Sequence, residues 1–272
     1  MSNPVDPVAY REKYGPWAVI TGASDGTGAA YARQLAAMGL NLVLVARRLE
    51  PLQALAQELE KDHGITTRTA SIDLYQPGAG EQVASAAMGL DVGLYISNAG
   101  ADANSARFLD APLDAWRGLI SRNVFTVTEL AYHFAATMRQ RGRGGILLMS
   151  SGTALGGQPG VAVYCATKAF DLNLAEALWA ELGPFGIDVL GAVCPAMDTP
   201  SLQSLLGANG LTVPGLFDPE DVVRTLLARL PDGPTHVFPF GPDAPRAAEI
   251  EKSRRERVAV MVEASKMFFR DP

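Results

Sequence analysis

The chain is poor in cysteine, histidine and positive charge, and it has no long apolar run. Its 272 residues include two cysteines, Cys165 and Cys194, and three histidines, His63, His133 and His236. Two cysteines build neither a disulfide framework nor a metal cluster, so no metal site is expected. Each lies in an apolar segment, where a small buried hydrophobe is the ordinary reading. A reducing cytoplasm fits that usage. Acidic residues outnumber basic ones, 29 to 23, for a net charge of −6. That balance argues against nucleic acid as a partner, because phosphate backbones are met by basic surface. No stretch approaches the ~18 apolar residues of a membrane span, so no membrane is expected. The segment from Met1 to Trp17 has prolines and mixed charges in place of a signal peptide's apolar segment. Internal repeats and low-complexity linkers are also missing.

What is present is core. Hydrophobic residues make up 48% of the chain, enough for a large interior, and an α/β fold of this length is commonly one domain, here 1–272. Short apolar runs read as buried strands at Trp17–Thr21 and Asn41–Ala46, and further strands are expected at Arg68–Ile72, Val92–Ile96, Ile146–Met149, Ile187–Val193 and His236–Phe240. Between them lie helical patterns. Leu52, Leu55, Ala56 and Leu59 repeat at i, i+3, i+4, i+7. Leu113–Arg141 reads as one long helix, Val163–Leu182 as another, and Ala247–Phe269 as a charged C-terminal helix. Apolar strands alternating with helices predict an α/β fold, a Rossmann-type doubly wound parallel sheet of about seven strands with helices on both faces. The stretch 196–219 is rich in Gly, Pro, Ser and Leu without a period, and it follows a strand on the ligand-binding edge, as a substrate lid would.

The most informative stretch is Tyr164-Cys165-Ala166-Thr167-Lys168. On a helix this spacing places a phenol and an ammonium on one face. A free tyrosine titrates near pH ~10, and an adjacent cation favours the phenolate, which makes a proton donor and acceptor usable near neutrality. Upstream, Gly22, Gly26 and Gly28 follow the first strand and open a helix. Such a turn lets the backbone approach a pyrophosphate and aims helix N–H groups at it. Ser151 ends the fifth strand thirteen residues before Tyr164, where its hydroxyl can polarise a carbonyl oxygen. Asn123, in the long helix, is placed to hold a water that relays protons from Lys168, and Lys168 can also reach ribose hydroxyls. Ser150 is the rival of Ser151.

The second strand ends Val45-Ala46-Arg47-Arg48. An acid there would hold a ribose 2′-hydroxyl, but Ala46 stands in that place and Arg47 follows. A guanidinium suits a 2′-phosphate, so NADP(H) is preferred. Arg48 shares that role or is a solvated charge. Asp25, inside the turn, works against a phosphate, which leaves NAD(H) possible. A competing motif overlaps the turn: Gly22-Ala23-Ser24-Asp25-Gly26 also fits the G-x-S-x-G elbow of an α/β-hydrolase. It would need His236 as partner, and too little chain precedes it.

These residues together resemble the single-domain short-chain dehydrogenase/reductases over almost the full length. The family's cofactor turn is Thr21-Gly22-Ala23-Ser24-Asp25-Gly26-Thr27-Gly28, its adenine-contacting acid is Asp73 before Leu74, and its Asn-Ala-Gly segment is Asn98-Ala99-Gly100. The family tetrad falls on Asn123, Ser151, Tyr164 and Lys168, and the Ser–Tyr interval selects Ser151. The resemblance implies cofactor contacts from Pro195 and Thr199, although Ala196 stands where the family has glycine. It implies interconversion of a ketone and a secondary alcohol by a homodimer or homotetramer, often built on the long helices. The first motif and Leu40-Asn41-Leu42-Val43-Leu44 look closest to the branch of 17β-hydroxysteroid dehydrogenases and long-chain 3-ketoacyl reductases. The apolar candidates for the pocket wall, among them Leu155, Met197, Leu202, Leu206, Leu216 and Phe217, suggest a bulky hydrophobic substrate. A catalytically silent NADP(H)-binding partner protein on the same fold is the alternative.

Overall fold

The computed structural model describes residues 5–102, 105–208 and 210–266. Helix α1 (Pro7–Tyr14) starts at Asp6, whose carboxylate accepts the Val8 amide at 3.0 Å. It leads into β1 (Trp17–Thr21), α2 (Gly26–Ala37), β2 (Asn41–Ala46), α3 (Leu49–His63), β3 (Thr67–Ser71), α4 (Ala79–Ala86) and β4 (Val92–Ser97). The second half runs through α5 (Leu113–Ile120), a π-turn at Ser121–Phe125, α6 (Thr126–Arg141), β5 (Gly144–Ser151), α7 (Ala162–Leu182) and β6 (Ile187–Cys194). It continues with α8 (Pro200–Ala208), α9 (Pro219–Arg229), β7 (Thr235–Val237) and α10 (Ala247–Ser265).

The strands form one seven-stranded parallel sheet in the order β3-β2-β1-β4-β5-β6-β7. The order reverses between β1 and β4, so the loops after those two strands diverge and leave a crevice at their carboxyl ends. Alternate side chains feed two cores. Ile20, Leu44 and Leu94 face the layer of α2, α3 and α9, whereas Val19, Val43 and Tyr95 face the layer of α4, α6 and α7. Both faces of the inner strands are dry, which is why these read as continuous apolar runs, whereas the edge strand β3 (Thr67–Ser71) is partly exposed.

Several expected boundaries shift. β5, expected over Ile146–Met149, runs from Gly144 to Ser151, and β4 and β6 each extend one residue, to Ser97 and Cys194. β3 starts at Thr67, whose amide and hydroxyl both reach Glu60 Oε1, at 2.9 and 2.7 Å, and ends at Ser71. β7 covers Thr235–Val237, not His236–Phe240, and the Val237 amide turns to Glu251 Oε1 at 2.7 Å. The long helix expected over Leu113–Arg141 is divided by the π-turn. The tail helix ends at Ser265, and the last three residues expected in it, 267–269, lie outside the described residues. Helices α1, α4 and α9 were not anticipated. α9 carried a legible start, Asp218-Pro219-Glu220, a capping acid followed by proline at the first helical position. Among the described residues no helix is long and apolar enough to cross a membrane, and no group of three or more His, Cys, Asp or Glu is placed to hold a metal ion.

Candidate active site

The glycine turn is braced from the neighbouring strand. Thr21 Oγ1 donates to the Ile96 carbonyl at 3.4 Å and accepts the Asn98 and Ala99 amides at 3.1 and 3.3 Å. Asn98 Nδ2 donates to the carbonyls of Thr21 and Gly22, at 3.0 and 3.1 Å. The Asn98 amide therefore shapes the turn. Gly28 packs so closely beneath it that a Cβ would overlap the Gly22 carbonyl. Asp25 occupies the N-cap of α2 but makes no capping bond, because its carboxylate is ion-paired with Arg48. No side chain caps the first amides of α2, which suits them to an anion. Ser24 is half-buried within the turn, and Thr27 Oγ1 donates to Met197 Sδ at 3.6 Å. The glycine cradle and the uncapped helix start fit the pyrophosphate of a dinucleotide.

Three arginines, Arg47, Arg48 and Arg122, lie near the ends of β2 and β4. Arg47 is exposed after β2, with its guanidinium 5.9 Å from the centre of the Tyr75 ring, and Arg122 stacks at 4.4 Å from that ring centre. Arg48, left open by the sequence, is the partner of Asp25. Asp73 accepts the Tyr75 amide and the Gln76 side-chain amide, both at 3.2 Å, while Leu74 is buried below it.

The sequence-predicted tetrad gathers at the carboxyl ends of β4 and β5. Tyr164 and Lys168 sit one turn apart on α7, with Nζ 5.9 Å from the tyrosine ring centre. Nζ donates to the Met149 carbonyl at 2.6 Å and to Asp171 Oδ2 at 3.0 Å. Gly100 leaves room for it, since a Cβ there would lie 2.5 Å from Nζ. The two serines divide by role. Ser150 is buried and donates to the Lys168 carbonyl at 2.7 Å, whereas half-buried Ser151 accepts the Thr153 amide at 3.3 Å. Asn123 lies in the π-turn and is wholly buried. Its Nδ2 donates to the Gly100 carbonyl and Thr167 Oγ1, at 3.3 and 3.0 Å, and its Oδ1 accepts Arg122 Nε at 2.9 Å. This amide fastens the loop after β4 to α7.

Two charged groups escaped the sequence reading. Arg122 is pushed down from the ordinary guanidinium range by burial. Burial pushes the Asp171 carboxyl up, against the pull of the adjacent ammonium. Asp171 stands three residues after Lys168 on a helix, a spacing that could have drawn notice. Cys194, near Lys168, has its thiol pushed up to about 12 by burial.

Over the crevice, buried Pro195 follows β6 and Thr199 caps α8, accepting the Leu202 amide at 3.3 Å while its methyl group packs over Gly26. The stretch 199–216 is closed at its base by a bridge between Met197 and Phe217, with Asp198 N–Phe217 O and Phe217 N–Ala196 O bonds of 2.9 and 3.0 Å. Of the suggested wall residues, Leu206 is buried, Phe217 packs edge-on against Phe238, and Leu155 packs beside Leu172 and Val237. The hydrolase reading fails on geometry. His236 lies on β7, four strands from the turn bearing Ser24, on the order of 19 Å at the usual strand spacing. Its Nδ1 faces Glu251 Oε1 at 2.8 Å.

A parallel sheet with a phosphate-binding turn at its switch point and a Tyr/Lys pair beside a serine defines a nicotinamide-dinucleotide oxidoreductase. The family model for short chain dehydrogenase matches residues 16–209, and the chain belongs to the short-chain dehydrogenase/reductase family. It is similar to a 7beta-hydroxysteroid dehydrogenase of Collinsella aerofaciens, 35% identical over 81% of this chain and 84% of that protein. Human 17-beta-hydroxysteroid dehydrogenase type 3 is 34% identical over 76% of this chain and 66% of its own length. A solved structure concerned with 7beta-hydroxysteroid dehydrogenase stereoselectivity superposes with TM-score 0.79 and 30% identity, covering 92% of this chain and 99% of that one. A short-chain dehydrogenase from Sphingobium yanoikuyae in complex with NADPH gives TM-score 0.78 and 31% identity, covering 90% and 96%. The relatives place the chain in the hydroxysteroid dehydrogenase and ketoacyl reductase branch, as an NAD(P)-dependent enzyme that interconverts ketones and alcohols.

Proposed function

We propose that this enzyme reduces a bulky hydrophobic ketone, a steroid or one of similar girth, to a secondary alcohol with NADPH, and that Tyr164 is its general acid. The observation that carries this reading is the Tyr164–Lys168 pair on α7, a helix bonded to β5, the strand that ends at Ser151. NADP(H), when bound, supplies the hydride chemistry. Ser151 donates its hydroxyl hydrogen to the substrate carbonyl oxygen and orients it. Tyr164 delivers a proton to that same oxygen, and the ammonium of Lys168 stabilises the phenolate left behind. In oxidation the phenolate takes the alcohol proton. Asn123 acts by holding the Gly100 loop against α7.

Gly22, Ser24, Gly26, Thr27 and Gly28 hold the pyrophosphate, and Arg47 meets the 2′-phosphate. Arg48 neutralises Asp25, which removes the main repulsion against that phosphate. Asp73, Leu74, Asn98, Ala99 and Gly100 line the nucleoside, and Pro195 and Thr199 close over the nicotinamide. The stretch 196–219 is a lid within a single domain, and its apolar character supports a hydrophobic substrate. The names of the steroid-acting relatives point the same way. Exposed Phe108, Leu113, Phe125 and Tyr132 on and beside α5 and α6 support burial in a homodimer or homotetramer. Two buried free cysteines suit a cytoplasmic enzyme.

The test is the fall in NADPH absorbance on a panel of small, aryl and steroid ketones, run beside NADH with Tyr164→Phe as the blank. Turnover with NADPH that vanishes in the variant is expected. Retention of most activity by Tyr164→Phe would remove the tyrosine from its role.

A further inference from the structure

The carboxylate of Asp171 is 2% exposed, and its only hydrogen-bond partner among the described residues is the Lys168 ammonium, Oδ2 to Nζ at 3.0 Å. Its Oδ1 is buried without a partner. A carboxylate inside a protein costs several kcal/mol of desolvation unless paired, so a buried acid with a single partner exists for that partner or at considerable cost. Nζ gives its other observed bond to the Met149 carbonyl at 2.6 Å. Two of the three ammonium hydrogens are thereby committed. The remaining side of Nζ faces Gly100, where the missing Cβ leaves the approach open.

We propose that Asp171 is a positioning residue of the Tyr164–Lys168 pair. It fixes the direction of the ammonium so that one hydrogen is left for the cleft, and its negative charge moderates the field that Lys168 exerts on the phenol. This rests on the general-acid reading of Tyr164 given above. The other charged and titratable groups around the pair are Arg122 from the π-turn, Tyr95 from β4 and Cys194 from β6. Arg122 and Lys168 together place two cations at the site; Asp102 acts on Arg122, and Asp171 is the carboxylate paired with Lys168. Deleting its charge leaves the phenolate more strongly favoured.

The experiment is the pH profile of alcohol oxidation by the full-length enzyme with NADP⁺, for wild type, Asp171→Asn and Tyr164→Phe. Asparagine keeps an acceptor oxygen for Nζ and removes the charge. The acid limb of kcat should move to lower pH by roughly 1 unit, with KM for the nucleotide within about threefold of wild type. A superimposable profile at wild-type kcat would overturn the proposal. Wild type lacking turnover on every alcohol, or Tyr164→Phe retaining it, would instead fail the underlying reading, so the two failures are distinct. Should Asp171→Asn not fold, thermal melts of Asp171→Leu and of Lys168→Met/Asp171→Leu decide. A double variant that melts above the single one upholds the pairing, because it removes the stranded ammonium. Simply additive losses would overturn it.

Discussion

Replacing Gly100 by alanine should separate catalysis from folding. The new methyl carbon would lie 2.5 Å from Lys168 Nζ and 3.3 Å from its Cε. Comfortable carbon contacts begin near ~3.5 Å, so the ammonium must retreat by about 1 Å. It cannot do so freely, because Met149 O and Asp171 Oδ2 hold it at 2.6 and 3.0 Å. Either a bond lengthens or the ammonium tilts away from the crevice. A displacement of about 1 Å in a catalytic group can cost ~100-fold in rate. We expect kcat with NADPH and the best ketone of the panel to fall by about that factor. Gly100 carries no positive φ in this structure, so the backbone itself tolerates alanine, and Tm should fall by only a few degrees. The assay pairs steady-state turnover with a thermal melt of the same preparation. A kcat within about threefold of wild type would refute the argument that the place of Lys168 matters. A collapse of Tm would show that the glycine serves packing instead.

Arg47→Ala should raise KM for NADPH by roughly 10- to 100-fold, the scale of one or two charge-assisted hydrogen bonds, and leave KM for NADH nearly unchanged. Equal losses for both nucleotides would indicate a damaged fold. Ser150→Ala removes a buried bond to the Lys168 carbonyl and should destabilise by about 1 kcal/mol in denaturant titration, whereas Ser151→Ala should keep its stability and lose turnover by ~100-fold or more. The reverse pattern would exchange the roles of the two serines. Burial raises the Glu251 carboxyl, but bonds from His236 and the Val237 amide, with the charge of Arg229, hold it below the usual range. A depressed carboxylate stabilises the fold above its unfolded pKa of about 4.3, and the contribution fades as pH falls through the lower folded value. Glu251→Gln should therefore lower Tm at pH 7 and match wild type more closely below about pH 4. A pH-independent difference would contradict that linkage.

The sheet was legible because buried parallel strands need apolar runs on both faces, and runs such as Asn41–Ala46 admit no other reading between helical segments. The π-turn was not legible. Ser121–Phe125 has helix-compatible residues, and the bonds of Asn123 there run to Gly100 and Thr167, which only the tertiary structure brings near. The Ser–Tyr interval favoured Ser151 over Ser150. Adjacent residues on a strand face opposite sides, and Ser150 is the one whose hydroxyl is bonded to α7. Arg47 and Arg48 could not be ranked from spacing alone, because the pairing of Arg48 with Asp25 depends on β2 lying beside β1. Asp171 was visible as a letter, but its importance comes from burial.

The reciprocal bonds between β5 and α7, Ser150 to the Lys168 carbonyl and Lys168 to the Met149 carbonyl, bear on how such an enzyme changes over generations. They weld the reactive groups into a block that a drifting surface cannot easily deform. The stretch 199–216 hangs from a separate clasp at Met197 and Phe217. Its sequence can be rewritten, lengthened or exchanged with no bond in the welded block being touched. If that stretch is the proposed lid, laboratory libraries aimed at it beyond Thr199, whose methyl group packs over Gly26, should yield altered selectivity with the reaction preserved.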